Sequence, residues 1–180
     1  CLSVDGDTST NDTILLHANA LADNREITEP NEDYEVFKQA LYIVMSELTK
    51  MLAKDGEGAS KLIECTCDGA KDIDTAIIVA KSVIRSPLFK CAMFGEDANW
   101  GRILCALGYS GGNFVPEKTD VKIKSAEGEI TLVKGATYAT QSDIDTSIAA
   151  LVDSVFVIIQ RFNRPRVIKL LKRSERQSRK

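Results

Sequence analysis

At 180 residues with 44% hydrophobic side chains, the chain is long enough to bury a core and fits one domain. No uninterrupted apolar run approaches the ~20 residues a membrane-spanning helix needs, and no basic segment followed by an apolar one opens the chain, so neither a membrane anchor nor a secretory signal is expected. The net charge of −3 conceals a split: residues 161–180 hold nine Lys and Arg against the single acid Glu175, so an acidic body ends in a basic tail.

The opening reads as a short strand, a polar turn over Asp5–Thr13 and then a helix through Ile14, Leu15, Leu16 and Ala18. Ser9 and Asp12 have capping-box spacing, with Asp in place of the usual Glu or Gln. Asn24–Asn31 is loop, broken by Pro30. A long amphipathic helix follows, in which Tyr34, Phe37, Leu41, Val44, Met45, Leu48, Met51 and Leu52 recur at spacings of three and four. Lys50 and Lys54 suit its last turns and Gly56 a left-handed cap. Glu57 then falls in the turn before a strand over Lys61–Cys67, with Ile63, Cys65 and Cys67 on one side and Leu62, Glu64 and Thr66 on the other.

Asp72–Arg85 has helical periodicity, and Ser86-Pro87 ends it. Leu88–Phe94 reads as a strand, Gly95–Asn99 as a turn, and Trp100–Tyr109 as a helix closed by Ser110-Gly111-Gly112. Val121–Ile123 and Glu129–Val133 predict a hairpin around Glu127-Gly128. Ile144–Ile159 is expected to be helical, although Val155, Val157, Ile158 and Ile159 also suit a strand. Strands alternating with helices give an α/β or α+β layered domain.

Five cysteines, Cys1, Cys65, Cys67, Cys91 and Cys105, are odd in number and scattered, which predicts buried thiols rather than a disulfide framework. Cys65 and Cys67 have the wrong spacing for a zinc knuckle, and the sole histidine, His17, has no second histidine to complete a site. Asp5, Asp7 and Asp12 could contribute oxygens to a cation site, or bond local backbone amides. Glu57 lies between Gly56 and Gly58, which let backbone approach a ligand closely. Its carboxylate suits an ammonium group, and it equally suits a solvated turn. Asn99, Trp100 and Arg102 could meet a substrate at a helix N-terminus, or cap and anchor that helix, with Arg102 paired to Glu96 or Asp97. Cys1 could act as an N-terminal nucleophile with its own amine as base, or simply be where the sequence starts.

Three polar, glycine-containing segments stand in order: Val4–Thr13, Lys54-Asp55-Gly56-Glu57-Gly58-Ala59-Ser60-Lys61, and Phe94-Gly95-Glu96-Asp97-Ala98-Asn99-Trp100-Gly101-Arg102-Ile103. With Lys81–Leu88 and Leu107–Gly111, they make the chain from Cys1 to about Val133 resemble the ornithine acetyltransferase, or bifunctional glutamate N-acetyltransferase, family. The resemblance implies an α/β layered sandwich of the N-terminal-nucleophile-like type, incomplete without an upstream segment. It also implies a cytoplasmic enzyme of arginine biosynthesis that moves an acetyl group from N-acetylornithine to glutamate. Such enzymes cut themselves before a threonine, which becomes the nucleophile of the second subunit.

The chain resembles the later part of that second subunit, so no catalytic residue is expected within it. Thr8, Thr10 and Thr13 belong to another motif, and Asn163 lacks the family's context. Glu57 alone carries over, as the substrate-binding glutamate. The implied partners are the alpha subunit and the upstream part of the beta subunit, in a hetero-oligomer. No metal or organic cofactor is implied, with acetyl-CoA an acetyl donor in bifunctional members. Residues 1–145 form the acetyltransferase portion, and 146–180 a divergent C-terminal helix and basic tail. Two other readings stand open: a hydrolase using Cys1, and a non-catalytic domain whose basic tail binds anions. The tail has one Phe and no Tyr or Trp, so nucleic acid is not an expected partner.

Overall fold

The computed structural model describes residues 2–112, 115–135, 137–140, 142 and 154–160. Helix α1 (Glu32–Lys54) precedes strand β1 (Leu62–Cys67), which is followed by helices α2 (Ile73–Arg85), α3 (Pro87–Phe94) and α4 (Trp100–Gly108). Strands β2 (Asp120–Lys124), β3 (Glu129–Lys134), β4 (Thr137–Tyr138) and β5 (Ser154–Gln160) complete one sheet in the order β1-β5-β2-β3-β4. β5 runs parallel to β1 and antiparallel to β2; the β2–β3 and β3–β4 pairs are antiparallel. The expected layered α/β architecture and the hairpin around Glu127-Gly128 are both present.

One face of the sheet carries the core. Cys65 lies opposite Val157 and Ile123 opposite Val157, while Val121 lies opposite both Ile159 and Val133, so these side chains share a face. A register shift at Val121/Lys122 leaves Leu132 as the extra residue of a bulge. That is why Leu132 and Val133, though adjacent, are both buried. Val79 and Val83 of α2, Phe89 and Met93 of α3, and Ile103, Ala106 and Leu107 of α4 form one core with this face. Ile63, Cys65 and Cys67, which alternation places together on one side of β1, pack against the core.

Each of α2, α3 and α4 begins with a side-chain cap: Asp72 accepts from the Thr75 amide, Ser86 from Phe89 and Asn99 from Arg102. The Gly111-Gly112 turn closes tightly over α2, where a Cβ on Gly112 would come within 2.5 Å of Val79 Cγ2.

Four expectations are corrected. Leu88–Phe94 is not a strand but lies in α3. Ser86 caps it and Pro87 stands at its first position, so the serine-proline pair that ends α2 also starts the next helix. Phe89 and Met93, four apart, then point together into the core. Over 154–159 the expected helix is strand β5, where β-branched residues pair on both sides; residues 143–153 lie outside the described residues. Neither the short strand nor the helix expected in the opening segment forms. Ser9 Oγ accepts from the Asn11 and Asp12 amides, yet Ile14, Leu15 and Leu16 remain 51%, 73% and 70% exposed. A cap cannot sustain so short a helix without a surface to bury its apolar side. Gly56 is not left-handed: Asp55 caps α1, and the positive φ, +67°, falls on Gly58.

The amphipathic helix α1 is as long as its periodicity predicts, begins at the Asn31 cap and buries no residue. Phe37, Tyr42, Ile43, Val44 and Met51 are exposed. Lys50 ties it to the sheet through Glu64, at 3.7 Å.

Candidate functional site

The three polar segments meet at one end of the domain. The second is the tight turn between α1 and β1. The Ala59 amide donates to the Gly56 carbonyl at 2.9 Å, enclosing Glu57 and Gly58 in the turn. The left-handed backbone at Gly58, φ +67°, favours a residue without Cβ. Glu57 is exposed at the turn's tip and makes no ion pair or hydrogen bond among the described residues.

The first segment lies against this turn. Val4 packs on Gly56: a Cβ there would touch Val4 Cγ1 at 3.6 Å. Lys90, on α3, donates from Nζ to the Val4 carbonyl. Burial lowers the Lys90 pKa; nearby Asp5 opposes that shift, and Arg85 adds to it. Asp5 accepts from the Asp7 amide at 2.8 Å, so its carboxylate shapes the local backbone. Among the described residues no group of three or more His, Cys, Asp or Glu is arranged to hold a metal, and Asp5, Asp7 and Asp12 do not form one.

The third segment reaches the turn from its far side. Lys61, at the turn's exit, pairs with Glu96 at 3.2 Å. Glu96 occupies the left-handed region at φ +60°, where the chain reverses between α3 and α4. Asn99 caps α4 and donates from Nδ2 to Asp97 at 2.9 Å. Trp100 stacks on Tyr138, ring centroids 4.6 Å apart, and packs against the core. Both residues therefore take the capping and anchoring roles. Arg102 forms no ion pair among the described residues; Glu96, one of its expected acids, is engaged by Lys61.

The cysteines are less uniform than expected. Cys65, Cys67, Cys91 and Cys105 form no disulfide, but Cys91 and Cys105 are exposed and Cys65 and Cys67 half-buried. Burial, reinforced by Cys67, pushes the Cys65 thiol well up; burial and then Asp68 push Cys67 up to about 11. Both thiols stay protonated and poorly nucleophilic near neutrality. His17 is exposed in irregular backbone rather than helix. Cys1, Asn163 and the basic tail lie outside the described residues.

The sequence singled out Glu57, Asn99 and Trp100 as candidates, but neither Lys61 nor Lys90. A lysine inside the apolar run Leu88–Phe94 was the available signal, since a half-buried ammonium needs a partner.

A solved crystal structure resembles this fold. The match is to the arginine biosynthesis bifunctional protein ArgJ of Bacillus halodurans, with a TM-score of 0.78 and 40% identity, covering 88% of this chain and 73% of that one. The ArgJ 1 protein of Clostridium acetobutylicum is 53% identical over 135 residues, 74% of this chain and 33% of its own length. The ArgJ of Caldanaerobacter subterraneus is 44% identical over 161 residues, 88% of this chain and 39% of its own. Both are named as arginine biosynthesis bifunctional proteins. The ArgJ family model matches residues 1–161. The chain belongs to the ArgJ family, and it spans about a third of the length of the curated relatives it matches.

Proposed function

We propose that this chain is the later part of the second subunit of a glutamate N-acetyltransferase that moves an acetyl group from N-acetylornithine to glutamate. The observation that carries the reading is the family match over residues 1–161, which includes the Gly56-Glu57-Gly58 turn. A threonine hydroxyl on polypeptide outside this chain attacks the acetyl carbonyl. Its amine takes the proton, and ornithine leaves as the acetyl-threonine ester forms. The amine of glutamate then attacks that ester, and the threonine is restored. Glu57 holds the side-chain ammonium group of N-acetylornithine by charge-assisted hydrogen bonds, and its exposure at the tip of a turn suits a group that meets a ligand. The cycle uses neither metal nor organic cofactor, with acetyl-CoA an alternative donor in the bifunctional reaction. The enzyme is a cytoplasmic hetero-oligomer; among the described residues no helix is long and apolar enough to cross a membrane.

The partners are the alpha subunit and the upstream part of the beta subunit. The uncovered apolar side of α1 supports this, because exposed Phe37, Val44 and Met51 form the stripe by which a helix normally packs. Acetyl transfer from N-acetylornithine to glutamate tests the reading. The chain is assayed alone and after co-expression with the portion of the Clostridium acetobutylicum relative that it does not match. Turnover is expected only in the combination, and Glu57→Gln should raise KM for the amino-acid substrate. An unchanged KM in that variant would remove Glu57 from the pocket.

A further inference from the structure

We propose that Lys90 is a positioning residue that holds the Glu57 turn in place through Val4; the inference rests on the substrate-binding reading of Glu57. The turn is a short excursion between α1 and β1, and its tip contributes nothing to the core. An exposed turn of this kind samples many conformations unless something outside it fixes its geometry. A carboxylate that must meet an ammonium group needs that geometry set before the ligand arrives.

Two tethers supply it, and both end on α3 or the residues just after it. On one side the Lys90 ammonium donates to the Val4 carbonyl, and the Val4 side chain lies against Gly56, the residue before Glu57. On the other, Lys61 reaches Glu96 at 3.2 Å. The platform beneath them is rigid, since Phe89 and Met93 of α3 are fully buried. Lys90 is the more telling tether. It comes from a helix whose neighbouring side chains, Phe89 and Met93, are fixed by the core, and it grips the backbone at Val4, whose side chain then rests on the turn. Asp5 beside the ammonium keeps that segment's charge matched to it.

Hydrogen exchange of the 180-residue chain reads the tether without requiring activity. Lys90→Met should speed exchange of the amides of residues 55–60 about tenfold, the scale of losing one charge-assisted hydrogen bond. Lys90→Arg should restore most of the protection. Val4→Gly keeps α3 intact and should loosen the same amides if Lys90→Met fails to fold. Unchanged exchange at 55–60 in Lys90→Met, or in Val4→Gly where the first does not fold, overturns the proposal.

In the co-expressed enzyme, Lys90→Met should raise KM for the amino-acid substrate with kcat nearly unchanged, and should add little to Glu57→Gln. Additive effects of the two substitutions would also overturn it. If exchange rises in Lys90→Met while Glu57→Gln leaves KM untouched, the tether stands and the substrate-binding reading of Glu57 fails.

Discussion

Two helical regions of this chain both carry apolar residues at helical spacing and meet opposite fates. α2, α3 and α4 share one core with the sheet and bury Val79, Phe89, Met93, Ile103 and Leu107 completely. α1 is the longest helix described, yet buries nothing. Periodicity therefore reports that a helix has a side to hide. It does not report what hides it. For the first group the answer lies in the same chain, in the alternate residues of β1, β2, β3 and β5. For α1 it is proposed to lie in the polypeptide that completes the relatives' length.

The contrast can be broken most forcefully at Phe89. Phe89→Ala should destabilise the chain by about 3–5 kcal/mol, measured by urea unfolding, because it removes a fully enclosed ring from the core where α3 meets α2 and α4. A loss below about 1 kcal/mol would mean that this layer is no better packed than α1. Next in size is Gly112→Ala. Its methyl group would meet Val79, so the turn or α2 must move, at about 1–3 kcal/mol. Asn99→Ala removes the α4 cap and should cost about 1 kcal/mol, with Asn99→Ser retaining most of it. The smallest effect is expected at Phe37, where Phe37→Ser should change the stability of this chain by less than about 0.5 kcal/mol. The same substitution should weaken co-purification with the complementary portion of the relative. Equal co-purification would show that this side of α1 faces water in the assembled protein too.

Much of the fold was legible in the sequence. The alternation from Leu62 to Cys67 identified the strand and sorted its two sides, and the Glu127-Gly128 turn fixed the hairpin. The misreadings share a cause. Leu88–Phe94 is apolar enough for either structure, and the cap at Ser86 with Pro87 decided for helix. Val155–Ile159 was settled by partners on both sides, β1 and β2, that no local window contains. Ile14–Leu16 had a cap and an apolar run but no surface to cover them. At the site, the Gly56-Glu57-Gly58 turn could be found from residue type and spacing. The grip of Lys90 on Val4 and of Lys61 on Glu96 could not, since each joins residues far apart in the chain.

The position of β5 has a consequence for biogenesis. The strand enters between β1 and β2, and its parallel neighbour was made roughly ninety residues earlier, a separation that slows pairing. Until Ser154–Gln160 leaves the ribosome, β1 and the β2–β3 hairpin each present a bare edge to other nascent chains. A premature stop ahead of Ser154 would therefore yield an aggregation-prone polypeptide rather than a slightly shorter protein.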